Sequence, residues 1–144
     1  MIVEGSPPAD ARATTLVYRV PFFDTDAMGV VHHANYIRYL ELARVRWMDE
    51  HHEPYTAYVA RGLHFAVTRV EADYRRAVAF DEEIAVTVWM EWLRGASLRM
   101  AYRLEVEGAV AVIAATEHAM VDGDGRVRRI PREWREALRD VVAP

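Results

Sequence analysis

Residues 33–52 read HANYIRYLELARVRWMDEHH, and this stretch decides the fold. Tyr36, Ile37, Leu40, Ala43, Trp47 and Met48 recur at spacings of three and four, so they share one face of a helix. Arg38, Glu41, Arg44 and Asp49 fall on the other side, while Leu42 and Val45 lie partly off the apolar stripe. A helix apolar over more than half its girth has to be wrapped by other elements rather than laid on one surface.

Those elements flank it. Upstream, Thr15 to Phe23 (TLVYRVPFF) is β-branched and aromatic and predicts a strand that Pro21 ends or places at an edge. The acidic, turn-like stretch Asp24 to Gly29 follows. Residues 1–14 are small, polar and Pro-containing and predict a loose lead-in to a single domain over 15–144. Downstream, beyond Pro54 and a short link of helical character, four strands are expected. Val70, Ala72 and Tyr74 alternate with Glu71 and Asp73, and Ile84, Val86, Val88, Met90 and Trp92 form one face of the next strand. Leu98, Met100, Tyr102, Leu104 and Val106 give the cleanest alternation, and Ala109 to Val121 is apolar on both faces, which suits a central strand. Arg94-Gly95-Ala96 and Glu107-Gly108 supply hairpin turns, and Pro131 starts a short helix carrying Trp134 and Leu138. One strand, one long helix, four antiparallel strands and a short terminal helix make an α+β domain whose sheet wraps the helix.

The 144 residues are 52% hydrophobic and 28% charged, enough for one core and one domain. No run approaches the ~20 apolar residues of a spanning helix. The missing residue types exclude whole chemistries. Without Cys there is no disulfide, thiolate zinc site or thiol nucleophile. All 18 basic residues are Arg, so Schiff-base chemistry and the phosphate-loop lysine are excluded. Serine occurs only at Ser6 and Ser97, and neither sits in a G-x-S-x-G elbow. A net charge of −4 argues against a duplex nucleic-acid binder. No Cys and no secretory hydrophobic segment make the cytoplasm the expected compartment.

Chemistry concentrates in Phe22 to Tyr36, FFDTDAMGVVHHANY. Asp24 and Asp26 sit between a strand end and a helix start, and His32, His33 and the only Asn, Asn35, follow at once. A helix N-terminus presents N–H groups without intrahelical acceptors and roughly half a positive charge, which stabilises a developing oxyanion. A carboxylate facing it can serve as general base or nucleophile, giving a hydrolase site that needs no Cys, Ser or Lys. The same two aspartates also suit plain turn and N-cap roles, and Asn35 suits a cap. His32 and His33, as neighbours, are expected to point apart, and no H-E-x-x-H spacing exists, so no metal site is expected. His51 and His52 read as surface histidines, and His118 as a satisfied core histidine.

DTDAMGVVHHANYIRYLELARVRWM strongly resembles the hotdog-fold acyl-CoA thioesterases of the 4-hydroxybenzoyl-CoA thioesterase branch, closest to the subgroup associated with the bacterial Tol–Pal cluster. The matching residues are Asp24-Thr25-Asp26, Gly29-Val30-Val31, His33, Tyr36 and Glu41-x-Ala43-Arg44, and Arg94 to Leu98 resembles the family's R-G-T-S hairpin. The resemblance implies a five-stranded antiparallel sheet around one central helix and hydrolysis of aliphatic or aroyl-CoA thioesters to the free acid and coenzyme A. It makes Asp26 the catalytic carboxylate, with backbone N–H groups around His33 on the thioester carbonyl and the His33 side chain orienting Asp26 or water. Phe22, Met28, Val31 and Tyr36 are expected to contact the acyl group. The resemblance also implies a homodimer paired sheet edge to sheet edge, with active sites at the interface, and pairing of dimers into a homotetramer. No metal or cofactor is expected, coenzyme A being part of the substrate.

The chain departs from that pattern. Phe22 stands where the subgroup often has Tyr, Met28 where it often has a small residue, and Arg75-Arg76-Ala77 where a Pro is common. Coenzyme A is polyanionic, so an acidic chain has to hold it with local arginines through forked, charge-assisted contacts. Arg94 with Ser97, and Arg75 with Arg76, are the candidates, each also readable as a solvated surface residue. Acyl-carrier-protein thioesters as substrates and a non-catalytic acyl-CoA binding role are the competing functions.

Overall fold

A computed structural model describes residues 5–139 and residue 142. β1 (Ala13–Arg19) leads through a 3-10 turn at Phe22–Asp24 and a loop to α1 (Asn35–His51). The short α2 (Tyr55–Ala60) follows. Then come β2 (Leu63–Tyr74), β3 (Glu83–Leu93), β4 (Ser97–Val106), β5 (Ala109–Asp122) and α3 (Arg132–Arg139). The five strands form one antiparallel sheet in the order β1-β3-β4-β5-β2. Strands β1 and β2 are its edges. The two-residue β4–β5 hairpin places both Glu107 and Gly108 at positive φ, the geometry that matches the twist of the flanking strands.

Strand β1 begins two residues earlier than the pattern predicts and stops at Arg19, so Phe22-Phe23-Asp24 is a 3-10 turn and not strand. Pro21, which has no N–H to give a ladder, precedes that turn. From residue 5 the lead-in rests on the sheet's outer face, where Gly5 lies against Ile113 and Arg103 donates to Ser6 Oγ, and just before β1 the Arg12 carbonyl accepts from Trp47 Nε1 of α1. A bulge between Met90 and Trp92 pairs Trp92 with Arg99 and moves it to the outer face, away from the row the alternation assigns it.

Helix α1 lies across β1 and β3, and its buried face is Tyr36, Tyr39, Leu40, Ala43, Trp47 and Met48. Tyr39 replaces Ile37 in the expected stripe. Ile37, Leu42 and Val45 are all at least 40% exposed, because the helix leans toward β1 and leaves its β2 side open. The terminal α3 buries Trp134 and Leu138, with Trp134 against Tyr58 and His52. His52 is therefore half-buried rather than on the surface, and burial lowers its pKa.

Beneath α1 runs a line of polar groups. Arg44 Nη1 donates to Tyr102 Oη (3.2 Å), Tyr102 Oη meets Thr116 Oγ1 (2.6 Å), and Thr116 Oγ1 meets His118 Nε2 (2.8 Å). Burial, and then the Arg44 cation, hold His118 down to about 3, with the Phe65 backbone opposing. An unfolded chain would bind a proton on this residue below about pH 6.5, whereas the folded chain refuses it. The stabilisation is complete above that pH and is expected to fall by up to roughly 1.4 kcal/mol per unit on acidification toward pH 3. His52 adds in the same direction. Urea unfolding measured between about pH 7 and 4 should show this slope, and His118→Asn should flatten it. An unchanged slope in that variant would assign acid sensitivity elsewhere.

Candidate active site

Between β1 and α1 the chain closes a small hairpin. Thr25 bridges Val31, Asp26 N–H donates to the Val30 carbonyl (2.9 Å), and Gly29 N–H donates to the Asp26 carbonyl (3.0 Å). Gly29 turns the loop at φ +78°, a conformation most side chains resist. The hairpin is fixed to the loop before β3 by a Val30–Ala79 bridge and by Val31 N–H donating to the Val78 carbonyl (2.7 Å).

The two aspartates have separate environments. Asp24 is buried: its Oδ2 accepts from Tyr39 (2.6 Å) and Tyr18 (3.2 Å), with Arg38 4.0 Å from Oδ1. Burial, and secondarily Asp24, raise the pKa of both tyrosines, so both remain donors. The Asp24 carbonyl accepts from His32 N–H (3.0 Å) and Asn35 Nδ2 (2.8 Å), tying the loop to the first residue of α1. Asp26 is exposed. Its Oδ1 accepts from Met28 N–H (2.8 Å), an Asx turn, and its Oδ2 has no protein partner among the described residues. Asp26 thus makes a turn and still presents a free carboxylate oxygen.

Neither aspartate caps α1. The N-cap is Ala34, without a side-chain cap bond. Asn35 is the first helical residue and bonds backward to Asp24 rather than capping. His32 takes two of the end amides: Ala34 N–H on its Nδ1 (3.1 Å) and Asn35 N–H on its carbonyl (2.8 Å). The Tyr36 amide is the next in line and has no acceptor among the described residues. The rings of His32 and His33 stack at 4.2 Å instead of pointing apart, because they lie in irregular chain where the alternation of strands and helices does not apply. No group of three or more metal-ligating side chains occurs among the described residues.

A cleft of about 360 Å³ gathers Asp26, Val31, His33, Tyr36, Arg75 and Arg76, six of the residues the sequence singles out. Tyr74 joins them, donating to the His33 carbonyl (3.0 Å) and packing on Tyr36 (5.4 Å). No hydrogen bond joins His33 to Asp26 among the described residues. Arg76 is engaged with the Val106 carbonyl and Glu82 (3.2 Å each). Phe22 and Met28 are 75% and 83% exposed, so this chain alone does not fold them around a ligand. Phe22 rests edge-on against Phe80. Arg94 lies over Trp92 at the β3–β4 turn, beside Ser97. That turn is at the far end of the sheet, roughly 33 Å along β3 from the cleft. Sequence reasoning missed Tyr18 and Tyr74 as parts of the site. Only Tyr74 left a trace, closing an alternating strand just before Arg75.

The family model described as Thioesterase-like superfamily matches residues 20–138, most of the chain and the whole lining of the cleft. The chain belongs to that superfamily. A putative esterase of Aquifex aeolicus is 33% identical over 122 residues, 85% of this chain and 94% of its own. The acyl-CoA thioester hydrolase YbgC of Escherichia coli O6:H1 is 33% identical over 86 residues, 60% of this chain and 64% of its own. A thioesterase from Thermus thermophilus, solved with coenzyme A and zinc, superposes with a TM-score of 0.77 at 31% identity, covering 88% of this chain and 92% of that one. The five-stranded antiparallel sheet around α1 is the hotdog architecture of these thioesterases, as the resemblance implies. No helix among the described residues is long and apolar enough to cross a membrane.

Proposed function

We propose that Asp26 and the first turn of α1 hydrolyse acyl-CoA thioesters to the free acid and coenzyme A. That the protein is an acyl-CoA thioester hydrolase follows from its superfamily and from the names its relatives carry. The single observation behind the assignment within this chain is the free Asp26 oxygen sharing a cleft with Tyr36, whose amide is open at the helix end. A thioester carbonyl on the Tyr36 N–H gains from the helix dipole as its oxygen becomes negative. Asp26 takes a proton from a water whose oxygen attacks the carbonyl carbon, or attacks it directly and forms a mixed anhydride that water then opens. In both routes the carbon–sulfur bond breaks, and the thiolate leaves as coenzyme A and gains a proton. His33, across the cleft, orients the water. The route calls on no metal or cofactor, and a CoA-ester substrate is in keeping with a cytoplasmic enzyme.

The distance from Arg94 to the cleft favours a homodimer. Strand β2 is an unpaired edge, and beside it α1 exposes Ile37, Leu42 and Val45. Antiparallel pairing of two β2 edges would satisfy those backbone groups and join the apolar helix sides. It also carries the β3–β4 turn of one copy toward the cleft of the other, so that Arg94 and Ser97 reach the coenzyme A phosphates from the partner while Arg75 and Arg76 act from the same chain. Further pairing into a homotetramer rests on the family resemblance alone.

Thiol release from a panel of aliphatic and aroyl-CoA esters tests the function, and turnover on none of them would shift the reading to carrier-protein esters or to binding. Arg94→Ala is expected to raise KM for the CoA ester about tenfold with kcat nearly unchanged, the pattern of a lost ground-state contact to a phosphate. A KM equal to wild type would leave Arg94 as a surface residue.

A further inference from the structure

The peptide group between His33 and Ala34 is held at both ends. Tyr74 Oη, from the last residue of β2, donates to its carbonyl (3.0 Å), and its N–H donates to His32 Nδ1 (3.1 Å). Each holder is itself fixed. The Tyr74 ring packs on the buried Tyr36 (5.4 Å). His32 is tied down through its own backbone: its N–H donates to the Asp24 carbonyl (3.0 Å), and its carbonyl accepts from Asn35 N–H (2.8 Å). A peptide is planar and rigid, so fixing its oxygen and its N–H fixes the whole plane.

Ala34 is the N-cap of α1 and makes no side-chain cap bond, so the entry to the helix lacks the usual Ser, Thr, Asp or Asn acceptor. The His33 imidazole forms no hydrogen bond among the described residues, and its ring contact is the His32 ring (4.2 Å). His33 therefore takes its place in the cleft from its own backbone, which the held peptide sets. The same arrangement decides which end amides stay open. Ala34 and Asn35 N–H are both spent on His32, so Tyr36 N–H is the next open donor. Release of the peptide would free Ala34 N–H to compete for the thioester carbonyl and would let His33 turn away from the water.

We propose that His32 and Tyr74 are positioning residues for the hydrolysis: together they clamp the His33–Ala34 peptide, and through it they hold the His33 side chain and keep Tyr36 N–H as the donor to the oxyanion. The inference rests on the thioesterase reading above and adds two residues that act through a peptide rather than on the reacting atoms. His32 lies outside the residues that carry the family resemblance, so one jaw of the clamp comes from a position that the motif leaves free. Ala34 N–H can donate only to an Nδ1 without a proton, so the closed clamp holds the His32 ring proton on Nε2.

His32→Phe keeps a ring against His33 and removes the acceptor, whereas His32→Asn removes the ring and puts Oδ1 near the place of Nδ1, as in an Asx turn. Tyr74→Phe keeps the ring on Tyr36 and removes the donor, and a further variant combines the two Phe substitutions. His32 is exposed and Tyr74 half-exposed, so all of these should fold. Each single Phe variant is expected to lower kcat for the best CoA ester about tenfold with KM within about twofold of wild type, because what is displaced serves the transition state. His32→Asn should keep kcat within about threefold of wild type. The double variant should fall no more than about threefold below either single one, since one opened end already frees the plane, whereas independent contacts would multiply to about a hundredfold. Amide exchange at Ala34 gives a reading that needs no turnover: it should be slow in wild type and His32→Asn and at least about tenfold faster in His32→Phe. Wild-type kcat in both single Phe variants, losses confined to KM, losses that multiply in the double variant, or His32→Asn as slow as His32→Phe would overturn the clamp. If no ester is turned over, the thioesterase reading fails separately, and exchange at Ala34 decides: equal rates in wild type and His32→Phe would overturn the clamp as well.

Discussion

Asp26→Asn is expected to lower kcat for the best CoA ester by at least about 10²-fold and toward 10⁴-fold, the range of a lost general base. Asn is the informative replacement because it keeps the Oδ1 that accepts from Met28 N–H, so the Asx turn and the loop survive. The carboxylate oxygen without a protein partner becomes an amide nitrogen, which neither takes a proton from water nor attacks a carbonyl. Asp26 is exposed, so the change should move stability by no more than about 0.5 kcal/mol. Substrate should still bind, since the Tyr36 amide and the arginines are untouched. Thiol release, thermal unfolding and ester binding measured side by side make the test. Turnover near that of wild type would remove Asp26 from the chemistry, and a large drop in unfolding temperature would mean that the loss reports the loop instead.

Asp26, Val31, His33 and Tyr36 could be read from the sequence because they lie within eleven consecutive residues and meet through local structure, one tight turn and one helix start. Arg75 and Arg76 reach the same cleft by a longer route, through the end of β2 and the Val30–Ala79 bridge, and charge alone suggested them. Other features depend on strand order, which chain order does not give. Exposure of Ile37 follows from β3 and β4 inserting between β1 and the rest of the sheet, so that the helix sits over one side. Alternation along β3 misplaced Trp92 because a single inserted residue inverts every facing beyond it. The polar line that joins His118 to Thr116, Tyr102 and Arg44 was hidden because three elements supply it. The separation of Asp24 from Asp26 into a buried anchor and a free carboxylate was hidden for the same reason: Tyr18 and Tyr39 come from β1 and α1.

Asp24→Ala should damage the fold severely. It strips the acceptor from the buried Tyr39 phenol and the half-buried Tyr18 phenol at once, and their rings pack together at 4.7 Å. Each stranded donor costs about 1–3 kcal/mol, more where the bond was to a charged group, so a total of about 3–5 kcal/mol is expected. For a chain of this size that lowers the unfolding temperature by roughly 10–15 °C. Arg38 contributes little to the loss, being 4.0 Å away and mostly in solvent. The loss should be recoverable in part, because removing both partners of a buried polar pair is milder than removing one. Tyr39→Phe in the Asp24→Ala background should therefore cost much less than Tyr39→Phe alone, with a coupling of at least about 1 kcal/mol. Kinetics should separate anchor from catalyst. The Asp24 carbonyl still holds His32 N–H and Asn35 Nδ2 in Asp24→Ala, so protein that remains folded at low temperature should keep most of its kcat, whereas Asp26→Asn loses activity at full stability. If Asp24→Ala proved as stable as wild type, the buried carboxylate would not be what joins β1 to α1. If it lost kcat as steeply as Asp26→Asn while folded, the division of labour between the two aspartates would be wrong.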